Sequence, residues 1–188
     1  MYEIVALCNS SEKSAKSAVE KHGLPSTTKT YGSPEDLAKD SDVDLVVCNV
    51  RVDRHHKVMM PILEAGKDAY VEWPLGANVQ QAEEMLAAAQ KSGSKTFVGL
   101  QARNSPVTLK VKQLVAEGAI GELLSSELQM YTGYLGSDTE PPGIDYLAKK
   151  EVGGNVFTIP FAHMADPAFF ALGQPEEVSA ILATVCLM

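Results

Sequence analysis

Residues 43–74 constrain the fold more than any other stretch: Val43-Asp44-Leu45-Val46-Val47-Cys48-Asn49, then a helix closed at Ala65-Gly66, then Asp68-Ala69-Tyr70-Val71-Glu72-Trp73-Pro74. An apolar, β-branched run, a helix ended by glycine and a second apolar run spell one strand, helix, strand unit. The helical crossover makes its two strands parallel. Ligands of open parallel sheets sit outside the carboxyl ends of the strands. Here those ends read Asn49-Val50-Arg51 and Glu72-Trp73-Pro74.

The same alternation runs on both sides of this unit. Residues 2–9 read as a strand, and Ser10 or Ser11 can cap a helix carrying Ala15, Ala18 and Val19, closed by His22-Gly23 ahead of Pro25. Ser33-Pro34-Glu35-Asp36 predicts a short helix with a capping serine, proline at its first position and two carboxylates at the positive end of its dipole. Asn78 and Gln81 form a capping-box pattern ahead of Ala82, Met85, Leu86 and Ala89, and Ser92-Gly93 ends that helix. Residues 96–100 predict a strand, and Ser105-Pro106 opens a helix through Val107, Val111, Leu114 and Val115 to Gly118. The fold class is therefore α/β, a partial Rossmann-type parallel sheet.

After Gly121 the period changes. Leu124, Ser126, Leu128 and Met130 alternate with Ser125, Glu127, Gln129 and Tyr131, which predicts a strand and the start of a mixed or antiparallel sheet in a second, α+β domain. Residues 132–150 read as a long loop or short-helix region, 156–172 as a helix despite Pro160 and Pro167, and 178–185 as a last strand. The expected domains are 1–118 for dinucleotide binding and 119–188 for substrate and oligomer contacts.

Composition narrows the function classes. Sixteen Lys and Arg against 24 Asp and Glu give a formal net charge of -8, which argues against a nucleic-acid or anionic-membrane surface. No run is long and apolar enough for a membrane span, and the amino-terminal residues carry no signal-type segment, so a cytoplasmic location is expected, or a nuclear one for a regulator. Cys8, Cys48 and Cys186 lie far apart and read as reduced, buried thiols; no metal site is expected.

The ordered series Val43-Asp44-Leu45-Val46-Val47, His55, Leu63-Glu64-Ala65-Gly66-Lys67, Glu72-Trp73-Pro74, Arg103 to Pro106, Glu117-Gly118-Ala119-Ile120-Gly121-Glu122, Gly153-Gly154 and His163 to Asp166 resembles the Gfo/Idh/MocA oxidoreductases. Two stretches resemble most the fungal galactose-regulon repressor branch of that family. They are residues 70–84 and Leu100-Gln101-Ala102-Arg103-Asn104-Ser105-Pro106. The resemblance implies a two-domain NAD(P)-binding protein that acts on sugars, inositols or related polyols. In the repressor branch it implies a regulator that keeps the cofactor fold and holds a protein partner, with homo-oligomers among full-length members. No Gly-x-Gly-x-x-Gly occurs in the chain, and the family places that motif in a strand and helix upstream of Tyr2. An incomplete version of a family member is the expectation, with a complete small protein as the alternative, and the incomplete sheet is expected to expose an edge.

The resemblance also assigns residues. Asn9 falls where NAD users place an acid at the ribose; with Ser10, Ser11 and Lys13 it offers neutral donors and a cation, which leans to NADP, while Ser10 or Ser11 equally serves as a helix cap. Asn49, Val50, His55, Glu72, Trp73 and Arg103 complete the implied cofactor set. Trp73 stands where the family has the lysine of Glu-Lys-Pro. An indole can stack but cannot donate a proton as an ammonium does, and a core or interface residue is the other reading. The resemblance implies a cis Trp73-Pro74 bond, against the trans state of most X-Pro bonds. His163 matches the family's proton-accepting histidine, with Ile159 at the position of its aspartate partner; a buried core histidine is the alternative. His55 and His56 project about 100° apart on a helix, so His56 is expected to face solvent, and Arg51 departs from the family's Thr-Pro pattern. Arg103 is either a cleft residue or a solvated surface arginine. Three functional readings stand: an oxidoreductase moving hydride between NAD(P) and a sugar-like polyol, a cofactor-binding regulator, and a folded remnant with neither activity.

Overall fold

Local signals write most of the elements. The structure, a computed structural model, describes residues 2–130 and 143–181, and the chain divides into two compact units, 1–99 and 100–188.

In the first unit, β1 (Ala6–Cys8) pairs in parallel with β2 (Lys29–Tyr31), Ala6 opposite Lys29 and Cys8 opposite Tyr31. Between them α1 (Glu12–Lys21) starts at Ser11. The Ser11 hydroxyl accepts from the Ser14 N–H and the Ser14 hydroxyl accepts from the Ser11 N–H, each at 3.2 Å, so two orphan amides are satisfied reciprocally. Next, α2 (Pro34–Ala38) begins on the Ser33 cap with Pro34 in its first turn, as its sequence dictates. A second parallel sheet runs β3 (Leu45–Cys48), β4 (Asp68–Glu72) and β5 (Thr96–Gly99) in that spatial order, with Leu45 opposite Asp68, Cys48 opposite Val71 and Glu72 opposite Gly99. Among the described residues β1 and β3 carry no ladder to each other, so the expected single sheet is two sheets.

The crossovers are α3 (His55–Glu64), entered through a 3-10 turn at Val52–Arg54, and α4 (Val79–Ser92), closed by Gly93 in the left-handed region at φ 79°. Met59, Ile62 and Leu63 recur at helical spacing on α3 and are fully buried with Met85 and Ala89 of α4. Both helices pack on the face of the sheet made by Val46, Cys48, Ala69 and Val71. The opposite face places Val47, Tyr70 and Phe97 in one row across the three strands, and Val47 remains 62% and Phe97 57% exposed.

In the second unit, α5 (Pro106–Ala116) starts on the Ser105 hydroxyl, which accepts from the Thr108 N–H, and packs against α6 (Ala162–Leu172). That packing groups α5 with the second unit, whereas the alternation along the sequence grouped it with the first and put the boundary near residues 118–121. Two 3-10 turns, Asp145–Ala148 and Lys150–Val152, fall within the part of the expected loop region that is described. Residues 124–130, expected as a strand, are irregular, with 124–129 exposed, and form no ladder with a described strand. Of the predicted last strand, 178–181 are irregular and the rest lies outside the described residues, as does Cys186.

The long helix expected over 156–172 forms in two parts. A π turn, Phe157–Phe161, leads into α6. Pro160 has no N–H, and the Phe161 N–H reaches back five residues to the Val156 carbonyl at 3.2 Å, so the ladder widens around the proline instead of breaking. Upstream, the Asn155 side-chain oxygen accepts from the N–H groups of Phe157 and Thr158, and the Thr158 hydroxyl accepts from the Asn155 N–H. Asn155-x-x-Thr158 is thus a reciprocal cap, legible in the sequence by its spacing and missed there because the glycines before it drew the reading.

Candidate cofactor-binding rim

Parallel pairing puts the carboxyl ends of β3 and β4 on one edge of the sheet, and the register sets Asn49 and Val50 beside Glu72 and Trp73. Asn49 is exposed, Val50 is 44% exposed, and Trp73 and Glu72 are half-buried. The two strand ends thus lie side by side at one edge of the sheet. The Trp73-Pro74 bond is cis. Glu72 lies over Gly99 on β5: a Cβ at Gly99 would meet Glu72 Oε2 at 2.5 Å and Cδ at 2.9 Å, so the glycine is what lets the carboxylate lie there. Past the proline, the Gln81 side-chain oxygen accepts from the Ala77 N–H at 2.9 Å and the Asn78 side chain caps α4. The capping box expected between Asn78 and Gln81 is therefore shifted by one residue on its return bond.

His55, the first residue of α3, is 1% exposed, with Nδ1 2.9 Å from the Pro74 carbonyl oxygen and Nε2 2.8 Å from the Val50 carbonyl oxygen. His55, assigned to the cofactor set, is enclosed between these two carbonyls, with at least one ring N–H donated to one of them, and at 1% exposure it presents no face to a bound molecule. His56, expected to face solvent, is corrected: it is half-buried, its Nε2 2.7 Å from Glu84 Oε2. Arg51 closes on Asp53 through two hydrogen bonds of 2.7 and 2.6 Å, and the guanidinium holds the Asp53 carboxyl below its ordinary value.

At the end of β1, Asn9, Ser10 and Lys13 are exposed. The Asn9 side-chain oxygen accepts from the Ser10 N–H at 2.9 Å, so what Asn9 offers a ligand is its NH2 donor. Ser11 is the residue spent on capping, which leaves the Ser10 hydroxyl outside the capping box. The thiols flanking these ends are poor nucleophiles: burial pushes both Cys8 and Cys48 above their ordinary value, with help at Cys8 from Glu35 and Asp36.

In the second unit His163 stands half-buried in the first turn of α6, with Ile159 one turn earlier offering only methyl groups. Arg103 is exposed, and its guanidinium is engaged by a carboxylate of α6. Its Nε donates to both oxygens of Asp166 at 3.0 and 2.8 Å, with a further bond from its terminal nitrogen, and Asp166 raises its already high pKa. The pair places Arg103 against α6, three residues beyond His163. Phe170 adds a ring 5.6 Å from the guanidinium and 3.4 Å from Lys112 Nζ. Sequence reading did not reach the Arg103 and Asp166 pairing, since nothing local links residues so far apart in the chain.

Known proteins agree with this architecture. A family model described as the oxidoreductase family with an NAD-binding Rossmann fold matches residues 1–100, and one described as the Gal80p C-terminal domain matches residues 106–186. The dehydrogenase aclE of Aspergillus oryzae is 38% identical over 92% of this chain and 46% of its own length. The galactose/lactose metabolism regulatory protein GAL80 of Kluyveromyces lactis is 34% identical over 97% of this chain and 41% of its own length. The crystal structure of the transcriptional regulator Gal80p from the same yeast superposes with a TM-score of 0.78 at 34% identity, covering 90% of this chain and 43% of that one. The chain thus spans a little under half the length of these relatives. With an α/β fold of parallel sheets and a family model over its first hundred residues, the chain belongs to the Gfo/Idh/MocA oxidoreductase family.

Proposed function

We propose that the chain binds a nicotinamide dinucleotide at the rim formed by Asn49, Val50, Glu72 and Trp73, and acts on or senses a sugar- or polyol-type ligand. The observation that carries this reading is the rim itself: two parallel strand ends side by side, with partly buried Trp73 at one and exposed Asn49 and Val50 at the other. These residues fit the nicotinamide end, because an indole face can stack on an aromatic ring or an apolar sugar face. Asn9, Ser10 and Lys13 suit the ribose end, and a cation with neutral donors favours the 2′-phosphate of NADP over a bare hydroxyl pair. When bound, the nicotinamide supplies hydride transfer. His163 is the residue assigned to take the hydroxyl proton of an alcohol; Trp73, whose indole N–H is a donor only, holds and orients without moving a proton.

A second reading, a regulator that uses the same rim as a sensor and another surface for a protein partner, is favoured by the indole at position 73 and the methyl groups of Ile159. Both replace proton-handling groups in the family pattern. The name of the Kluyveromyces lactis relative, a regulatory protein of galactose/lactose metabolism, supports a ligand of sugar type for the regulator, and the name of the Aspergillus oryzae relative supports a dehydrogenase. A cytoplasmic location goes with the first reading and a nuclear one with the second; homo-oligomers are proposed for both.

Titration of the 188-residue chain with NADH and NADPH, followed by Trp73 emission and by calorimetry, tests cofactor binding. Quenching with measurable heat is expected, stronger for NADPH; neither signal from either nucleotide overturns the proposal. Turnover on a panel of sugars and polyols that His163→Ala abolishes selects the enzyme, and cofactor binding without turnover selects the regulator.

A further inference from the structure

His55 is the one buried imidazole of the described first unit, and it faces no site. It touches instead the two backbone segments that make the rim. Its Nε2 reaches the Val50 carbonyl, just past β3, and its Nδ1 reaches the Pro74 carbonyl, just past β4. A carbonyl oxygen only accepts, so at least one ring N–H is aimed along one of these lines, and the ring spans the two turns as a strut. The ladder between β3 and β4 ends at Cys48 opposite Val71, and beyond that register the His55 ring lies between the Val50 and Pro74 carbonyls.

From this geometry we infer that His55 is a positioning residue for the cofactor rim. It holds the Asn49-Val50 turn and the Trp73-Pro74 turn at a set spacing, and so fixes where the indole stands relative to the opposite lip. The inference rests on the reading of that rim as a nicotinamide site, but its mechanical part does not. His55 is anchored at the start of α3, whose Met59, Ile62 and Leu63 are locked in the core, so the strut is fixed at its base by packing that neither turn contributes. Loss of the ring frees a buried carbonyl that water must then reach, and the two turns separate to let it in.

The test compares His55→Leu, which fills the space without donors, with His55→Gln, whose carboxamide can donate to one of the carbonyls. Trp73 is the only tryptophan, so acrylamide quenching of its emission at a temperature well below unfolding reads the rim directly. In His55→Leu, Trp73 is expected to become more accessible and the affinity for NADH and NADPH to fall by about tenfold, the cost of one orphaned buried carbonyl, with partial recovery in His55→Gln. Wild-type quenching and affinity in His55→Leu overturn the inference, as does a His55→Gln variant as impaired as His55→Leu, which would make the role one of volume alone. Should His55→Leu fail to fold, His55→Gln decides by itself: Trp73 accessibility nearer to that of the wild type than of the unfolded chain supports the strut, and accessibility equal to that of the unfolded chain overturns it. If the wild type binds neither nucleotide, the functional reading falls and the strut is still decided by Trp73 accessibility.

Discussion

Gly99 shows how much one missing methyl group does. A Cβ there would sit 2.5 Å from Glu72 Oε2 and 3.1 Å from Glu72 Cα, so Gly99→Ala must push the carboxylate aside and strain the β4 and β5 pairing. A loss of about 1–3 kcal/mol is expected, the range for overpacking at a close contact, read as a lower urea midpoint with an unchanged slope. Asp40 makes a pH-dependent prediction. Its side chain is 6% exposed, accepts from Lys29, from the Asp42 N–H and from the Tyr31 hydroxyl, and these bonds pull its pKa down to about 2. The folded value lies below an unfolded value of about 3.9, so its contribution is complete above about pH 4 and is lost as the pH falls through about 2. Urea midpoints measured from pH 5 to pH 2 are expected to fall less steeply in Asp40→Asn than in the wild type. The caps Ser33, Asn78 and Ser105 were readable in the sequence because each acts on amides within three residues of itself. The partners of His55 and Arg103 were not, since Pro74 is 19 residues away and Asp166 is 63.

Among the elements, the π turn and helix of the second unit depend most on a single side chain. Asn155 takes the N–H groups of Phe157 and Thr158 where no backbone carbonyl can, and Phe157 stacks on Phe161 with ring centroids 5.1 Å apart. Asn155→Ala is expected to cost about 1 kcal/mol, as other lost caps do, and Asn155→Asp to retain most of it; thermal unfolding of the two variants side by side gives the comparison. The same segment explains why an apolar period alone did not foretell a π turn. Periodicity reports which face is buried, whereas the widening answers to the one amide that Pro160 lacks. Residues 124–130 make the complementary case: alternation predicts a strand, but a ladder needs a second strand, and no described residue forms one with it.

Over the whole molecule, one face of the three-stranded sheet is closed by α3 and α4 and the other leaves Val47, Tyr70 and Phe97 in a row. Contiguous apolar surface of this kind binds amphiphilic dyes and promotes association. The double change Val47→Thr, Phe97→Thr is expected to lower binding of 8-anilinonaphthalene-1-sulfonate and to raise the concentration at which the chain scatters light, with little change in urea midpoint because neither side chain is buried. Taken by itself, the chain's order of apolar runs, glycine stops and serine or asparagine caps determined the αβ alternation, the parallel strands and the carboxyl-end rim, because those depend on interactions a few residues long and on the handed geometry of a helical crossover. Tertiary structure alone decided which carbonyls His55 braces, that Asp166 claims Arg103, where the two units divide and which face of the sheet stays bare. Each of those turns on contacts between segments whose separation in sequence carries no period or motif, and which meet only once the core has closed.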